Sequence, residues 1–235
     1  MRAGIFIDGG YIIKQMNDNA MSPNYDKFAD ALLAPLRKQS ALDLLRCYFY
    51  YCAPWMSSEP TADELRRKQN HEKFVEEIEA LDRWQFRLGK LEKRFDGEKE
   101  VFEQKRVDVM MSVDLVRHAA AGHIQHAVLL AGDSDFIPAV KAAKESGVTI
   151  TLWCFSNVHK DLMKVCDEVH YVDWRQFPVT SHRRYKKSKS KSKTTKDAKE
   201  NPTKKKYSMS GQARKSPKQS KKTIVRRKSQ SEGAS

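Results

Sequence analysis

Residues 126–155 read HAVLLAGDSDFIPAVKAAKESGVTITLWCF. Two nearly uninterrupted apolar runs, at 125–131 and 148–155, flank a helical segment at 136–146 that ends before Gly147. Apolar runs of this length, separated by one helix, are typical of central parallel strands that are buried on both faces. The stretch therefore predicts a strand–helix–strand unit of a parallel sheet.

The rest of the first 173 residues continues this alternation of strands and helices. The predicted elements are strands at 3–7, 42–52 and 168–172, helices at 24–38, 60–81, 107–121 and 158–166, and a hairpin or edge excursion at 84–91 and 100–104. Crossovers between parallel strands are right-handed and place helices on both faces of the sheet. We predict an α/β fold, a Rossmann-like three-layer sandwich around a mainly parallel sheet.

Charge is distributed unevenly along the 235 residues, whose formal net charge is +14. Residues 182–235 hold 20 Lys and Arg against 3 Asp and Glu, so the remaining residues hold 24 against 27 and carry a net charge of −3. This basic segment has almost no large apolar residues, so burial cannot offset the entropy of ordering it. We predict a folded domain at 1–177 and a disordered Lys/Arg/Ser-rich tail at 182–235. Such a tail can bind nucleic acid through its phosphates, and a solubilising tail is the alternative.

The four cysteines form no C-x-x-C pair, and the histidines complete no zinc spacing. Isolated cysteines in apolar runs are usually reduced core residues, which favours the cytoplasm. The sequence shows no signal-peptide region and no apolar run near the roughly 20 residues that cross a membrane. We expect a cytoplasmic protein with no membrane partner. The oligomeric state stays open, and a homodimer is one option.

Four aspartates are predicted to converge at one edge of the sheet. Asp8 directly follows the first strand, and Asp133 and Asp135 directly follow a buried strand. Asp108 lies near the start of a helix, and helices in such folds begin near the same edge. In open parallel sheets, functional groups collect in the loops at the carboxyl ends of the strands.

Crowded carboxylates repel one another and raise each other's pKa, and a cation neutralises them. Oxygen ligands suit hard cations such as Mg²⁺ or Mn²⁺. Such an ion activates water and offsets charge on a phosphate, which is the chemistry of phosphodiester hydrolysis. We therefore predict a metal site in which Asp8, Asp108, Asp133 and Asp135 hold the ion and serve catalysis.

Each acid also has a local structural interpretation. Asp8 can belong to a plain turn, Asp133 can cap the following helix, and Asp108 can complement a helix dipole. Asp114 follows Asp108 by six residues, which is roughly 240° around a helix, so the two share no face of a regular helix. Either Asp108 precedes the helix or Asp114 is a supporting or structural acid.

Three segments of the sequence resemble the NYN domain, in particular its LabA-like branch, within the PIN-like nucleases. They are FIDGGY at 6–11, KRVDVMMSVDLV at 105–116 and LLAGDSDFIPAVKAAKESGV at 129–148. The similarity extends over roughly residues 3–173. It implies a Rossmann-like parallel sheet, an acidic Mg²⁺-binding pocket and ribonuclease activity. It assigns Asp8, Asp108, Asp133 and Asp135 to the metal site, with Asp114 as a further acid.

The sequence departs from the family pattern D-G-x-N at Tyr11, which stands in place of the Asn. A tyrosine can stack on a base or hydrogen-bond to phosphate. Lys105 can hold a substrate phosphate as a charged donor. Ser134 can donate to a phosphate or to a metal-bound water, and Asn157 follows a central strand to the same edge, where it can contact the substrate. The alternative roles are solvated charge for Lys105 and helix capping for Ser134 and Asn157.

Three functional hypotheses follow. The first is a divalent-metal-dependent nuclease, and the resemblance favours RNA over DNA as its substrate. The second is a nucleic-acid-binding or regulatory protein with a weak or inactive metal site, and the third is a hydrolase of small phosphoesters. The sequence contains no G-x-G-x-x-G, Walker or nucleophile-elbow motif, which argues against NAD, ATP and serine-hydrolase chemistry.

Overall fold

A computed structural model gives the fold and describes residues 1–19, 21–96, 99–173 and 177–182. Its strands are β1 (Arg2–Asp8), β2 (Met21–Pro23), β3 (Asp43–Cys52), β4 (Trp84–Asp96), β5 (Lys99–Lys105), β6 (His126–Leu130), β7 (Thr149–Cys154), β8 (Glu168–Tyr171) and β9 (Val179–His182). Its α-helices are α1 (Gly9–Asp18), α2 (Tyr25–Arg37), α3 (Ala62–Glu79), α4 (Val107–Ala120), α5 (Ile137–Glu145) and α6 (Lys160–Val165). A turn of 3₁₀ helix at Ser134–Phe136 precedes α5.

Seven strands form the main sheet in the order β5-β4-β3-β1-β6-β7-β8. The neighbours from β4 to β8 pair in parallel, and only β5 pairs antiparallel, with β4. The short strands β2 and β9 form a separate antiparallel pair. The predicted mainly parallel α/β sheet is confirmed, as is the antiparallel pairing expected of the hairpin strands at its edge.

Successive side chains of the central strands enter two separate cores, one on each face of the sheet. Ile5 and Ile7 pack with Phe49 beneath α1, α2 and α3. Phe6 packs with Tyr50 on the other face, against α4, α5 and α6. Because alternate residues of a strand point to opposite faces, strands buried on both sides are apolar throughout. Helices on both faces complete the predicted three-layer sandwich.

The order of the strands creates a switch point beside β1. From β1 the chain runs outward through β3 and β4, and then returns to the opposite side of β1 as β6. Loops that leave neighbouring strands in opposite directions open a crevice at the carboxyl ends of those strands. Asp8 ends β1 and Asp133 lies just after β6, so these two acids flank the crevice.

Helix α1 was not expected from the sequence, where Asp8-Gly9-Gly10 has the composition of a plain turn. The helix begins directly at Gly9, with Asp8 as its N-cap. A Cβ on Gly9 would lie 2.6 Å from the backbone oxygen of Tyr50, so the helix can start this close to β3 only with glycine. This tight start fixes the position of Asp8 at the sheet edge.

The predicted tail falls almost entirely outside the described residues. The backbone of His182 still pairs with Met21 through β9, so the described part ends where the tail is predicted to begin. Among the described residues, no helix is long and apolar enough to span a membrane. The four cysteines are free, and three of them are buried.

Candidate functional site

Asp8 is the N-cap of helix α1, and its carboxyl group has a raised pKa. Its Oδ1 accepts a hydrogen bond of 3.0 Å from the Tyr11 backbone N–H, which fixes the carboxylate at the start of α1. Burial and, to a smaller extent, the charges of Asp108 and Asp133 together raise the pKa of Asp8 from 3.8 to about 6, although the hydrogen bond from the Tyr11 N–H lowers it. Asp8 therefore caps helix α1 and also belongs to the group of acidic side chains.

Asp133 and Asp135 occupy the turn between β6 and α5, and both are exposed. Oδ1 of Asp133 accepts a hydrogen bond of 3.1 Å from the Asp135 backbone N–H. The Ser134 hydroxyl reaches the same oxygen only at 3.5 Å. Asp133 therefore caps the 3₁₀ turn, as the structural interpretation expected, while its charge acts on Asp8 across the crevice.

Asp108 lies in the first turn of α4 and completes the acidic group. Burial raises its pKa, and the charges of Asp133 and Asp135 raise it further. Arg106, the N-cap residue of α4, has a left-handed backbone with φ 74°, which is uncommon for a residue other than glycine. Four carboxylates from β1, α4 and the β6–α5 turn thus repel one another at one sheet edge.

The structure does not bring Asp114 into this group. Asp114 is buried on the inner side of α4, where the Tyr50 hydroxyl donates to its Oδ2 at 3.0 Å. Nε of Arg87 lies 3.0 Å from the same oxygen, and Nη2 of Arg117 lies 3.0 Å from Oδ1. The carboxylate is therefore already neutralised by two arginines at a distance from the acidic edge.

Tyr11 lies in the crevice with its hydroxyl oxygen turned inward. That oxygen accepts a hydrogen bond of 2.9 Å from the Phe155 backbone N–H, and the two rings have centroids 5.3 Å apart. Burial raises the pKa of Tyr11 to about 12, so the phenol stays protonated. Tyr11 thus connects α1 to the end of β7 and walls the crevice between the two acid-bearing loops.

The crevice opens into a cleft of about 780 Å³, which we call the acidic cleft. Its lining includes Asp8, Tyr11, Asp133 and Asn157. The structure therefore brings these four predicted residues together in one cleft. The Ser134 hydroxyl lies next to Asp133, which lines the cleft. The side chain of Lys105 lies outside the described part of the structure.

The lining of the acidic cleft also includes a group of basic side chains, called here the basic wall, which the sequence analysis missed. It carries Lys14 of α1 and Lys160 and Lys164 of α6, with His159 at the N-cap of α6. Lys14 was missed because α1 itself was not expected. Lys160 and Lys164 are four residues apart, a spacing that places both on one helix face and could have indicated this wall.

A divalent cation fits the acidic edge by donor chemistry but not by preformed geometry. The four carboxylates are oxygen donors whose mutual repulsion a hard cation would relieve. Within the described ranges, however, no three His, Cys, Asp or Glu side chains lie close enough together to hold an ion as they stand. Binding would therefore require some of these side chains to change rotamer.

Comparison with known proteins adds a family. The family model for the NYN domain matches residues 2–173, which is most of the chain. No curated protein matches the sequence. Among solved structures, the crystal structure of MurG from Acinetobacter baumannii is similar at a TM-score of 0.36 and 10% identity, over 76% of this chain and 43% of that one. The chain spans less than half of that protein, and so distant a likeness bears on neither its fold nor its function.

Proposed function

The chain belongs to the NYN domain family of PIN-like nucleases, and from this membership we propose that it is a divalent-metal-dependent ribonuclease that hydrolyses phosphodiester bonds at the acidic edge. The observation that supports the proposal is the placement of Asp8, Asp108, Asp133 and Asp135 at the switch point of the sheet, near enough for neighbouring acids to raise the pKa of Asp8 and of Asp108. Carboxylates kept together at such a cost in a cleft are a signature of functional sites.

The four carboxylates would hold the cation. Mg²⁺ or Mn²⁺, when bound, lowers the pKa of water and offsets negative charge on a phosphate and its leaving oxygen. The protein's own contribution is position, because Asp8 is held by the Tyr11 N–H and Asp133 by the Asp135 N–H. Both acids therefore present their remaining lone pairs from fixed loops of a rigid sheet.

The basic wall supplies a place for the phosphates that flank the reacting one. Among the described residues, no carboxylate pairs with Lys14 or Lys160, whereas Lys164 donates to Asp161 at 2.7 Å. Two uncompensated ammonium groups thus line the same cleft as Asp8 and Asp133, so the lining is divided between basic and acidic side chains. This division suits a strand of nucleic acid, with neighbouring phosphates on the lysines and the scissile phosphate beside the aspartates.

The basic segment at 182–235 would anchor the substrate. The rest of the chain carries a net charge of −3 and has an acidic edge, whereas this segment carries +17. Lys and Arg that neutralise phosphates release counterions and so bind nucleic acid without sequence preference. The four free cysteines support a reducing, cytoplasmic setting.

A specific observation favours one rival, a nucleic-acid-binding or regulatory protein with an inactive metal site. Within the part of the chain that the structure describes, no preformed group of three ligands exists. If the acidic edge binds no ion, the basic wall and the basic segment could still bind nucleic acid. The two functions differ in whether bound nucleic acid is cut.

The experiment is cleavage of a labelled RNA and of the DNA with the same sequence by the purified full-length protein. Reactions contain Mn²⁺ or Mg²⁺, or a chelator as the control, and a chromogenic phosphate monoester tests for small phosphoesters. The proposal expects RNA cleavage that requires the cation and exceeds DNA cleavage. Binding of RNA without cleavage under any of these ions would favour the regulatory protein, and turnover of the monoester alone would indicate a phosphatase.

A further inference from the structure

A second pocket lies on the α4 face of the sheet, away from the acidic cleft. It has a volume of about 460 Å³, and its walls include the side chains of four arginines and two histidines. We call it the arginine pocket, and define it by Arg2, Arg46, Arg87, Arg117, His118 and His123. Nothing in the proposed nuclease reaction uses these residues.

The arginine pocket extends along the strands from Arg2 to Arg87, and the sheet register places Arg87 level with Asp8, two strands away. Arg2 is the first residue of β1 and Asp8 is the last. At roughly 3.3 Å per residue, the six steps between them span about 20 Å. A single nucleotide held at the Arg2 end of the pocket cannot bridge that distance, so its phosphate would lie apart from the groups that react at the acidic edge.

The charge of the arginine pocket is poorly compensated. Arg87 and Arg117 share one carboxylate, Asp114. Within the described residues, no carboxylate pairs with Arg2 or Arg46. Four guanidinium groups therefore face one acid. The carbonyl end of α4 adds only about half a negative charge, which the excess of guanidinium groups outweighs.

Several groups in the pocket are held in place before any ligand arrives. The Arg87 guanidinium lies 5.3 Å from the centre of the Tyr48 ring, and its Nε donates a hydrogen bond to Asp114. The Tyr48 hydroxyl is 2.8 Å from Nε2 of His118, and Nδ1 of His118 is 3.1 Å from Nδ1 of His123. Such fixed side chains lose little conformational freedom on binding.

This arrangement specifies the chemistry of the ligand. The planar fork of a guanidinium matches the geometry of a phosphate and can donate to it through two N–H groups. The exposed ring of His123 adds a further donor beside the arginines. We propose that the arginine pocket binds a phosphate group carried by a nucleotide or by the phosphorylated end of an oligonucleotide, independently of the acidic cleft.

The test is a titration of the full-length protein followed by the imidazole NMR signals of His118 and His123, with chelator present throughout. The probes are inorganic phosphate, adenosine monophosphate, and one short oligonucleotide with either a phosphate or a hydroxyl at its 5′ end. The variant is Arg46→Ala, an exposed strand residue. The matched control is Arg66→Ala, which removes an arginine from the exposed surface of α3.

We expect saturable shifts of both histidine signals with the phosphate-bearing probes. Arg66→Ala should show the same shifts and the same affinity as the parent protein. Loss of one charge-assisted phosphate contact should weaken binding in Arg46→Ala by about tenfold or more, and Arg46→Lys should restore part of it. Equal responses to the nucleotide and to phosphate would mean that the pocket recognises the phosphate alone. A response only to the 5′-phosphorylated strand would identify a strand end as the ligand.

Two results would overturn the proposal. One is the absence of histidine shifts with every phosphate-bearing probe. The other is identical titration of the parent protein and Arg46→Ala, both folded by their melting curves. Because the measurements contain no divalent cation and follow no cleavage, failure of the nuclease proposal would leave this result unaffected.

Discussion

A Cβ on Gly132 would lie 2.4 Å from Cε2 of Tyr11, so the ring of Tyr11 packs directly on the backbone of the β6–α5 turn. Tyr11 follows Asp8 by three residues and Gly132 precedes Asp133. The contact therefore fixes the distance between the two acid-bearing loops. Tyr11 cannot retreat easily, because its hydroxyl and ring are held by Phe155.

We predict that Gly132→Ala lowers the free energy of unfolding by about 2 kcal/mol, the usual scale of an overpacked site. Denaturant titration measures the change. In a Tyr11→Ala background, Gly132→Ala should lower the free energy of unfolding much less, because the obstructing ring is absent. Equal costs in the two backgrounds would mean that the ring does not set the position of the turn.

Asp8 should make the metal-free protein less stable as pH rises. Its folded-state pKa of about 6 lies above the unfolded value near 3.8, so its contribution is fully present at low pH and is lost as pH rises from about 4 to 6. At roughly 1.4 kcal/mol per pKa unit, the cost above pH 6 approaches about 3 kcal/mol. Asp8→Asn keeps an oxygen for the Tyr11 N–H and removes the charge.

Unfolding of the parent protein and of Asp8→Asn across this pH range, in chelator, measures the effect. The variant should match the parent near pH 4 and exceed its stability above pH 6. Asp30→Asn, which removes an exposed acid of α2, controls for the loss of one charge. Parallel stability curves for the parent and Asp8→Asn would show that the Asp8 carboxyl is not under this repulsion.

Divalent cations should raise the melting temperature if the acidic edge binds them. An ion that binds only the folded state stabilises it by about 2.7 kcal/mol at a hundred times its dissociation constant. Asp133→Asn should reduce this shift. A melting temperature that is unchanged by Mn²⁺ or Mg²⁺ would count against a metal site.

Asp114→Asn separates the two roles that the sequence leaves open for Asp114. Because the carboxylate pairs with Arg87 and Arg117, we expect a loss of about 2 kcal/mol in stability from weakened charge-assisted hydrogen bonds. The Mn²⁺-dependent rise in melting temperature should persist. If that rise disappears in Asp114→Asn while the protein stays folded, Asp114 belongs to the metal site.

Truncation after His182 should weaken nucleic-acid binding without removing catalysis. The truncated chain keeps β9 and loses all 20 basic residues of the tail. Its affinity for RNA should fall at low salt, and its affinity should depend less steeply on salt concentration. A salt titration of both chains on one labelled RNA measures this. Equal affinities and equal salt slopes would exclude the tail as the anchor.

The sequence was most informative where a local pattern determines the structure. The apolar runs at 125–131 and 148–155 identified central strands because only buried strands are apolar on both faces. The convergence of Asp8 with Asp133 followed from their positions after neighbouring strands. The uncertain position of Asp114 followed from its 240° offset from Asp108, and the structure supplies its arginine partners.

Features that depend on tertiary contacts were not accessible from the sequence. Helix α1 starts with two glycines, and the need for Gly9 becomes clear only beside the backbone of β3. The basic wall combines Lys14 with residues about 150 positions later in the chain. The arginine pocket likewise joins β1, β3, β4 and α4.

The most direct test of the account is the single-turnover rate of RNA cleavage in Mn²⁺ by the parent protein, Asp133→Asn and Asp30→Asn. Each variant loses one exposed aspartate, and each is first shown to be folded by its melting curve. We predict that Asp133→Asn loses about a hundredfold or more of the cleavage rate, since changes to residues that only support metal ligands already cost ten- to a hundredfold. Asp30→Asn should cleave like the parent. Cleavage by Asp133→Asn at the parent rate would contradict the assignment of catalysis to the acidic edge.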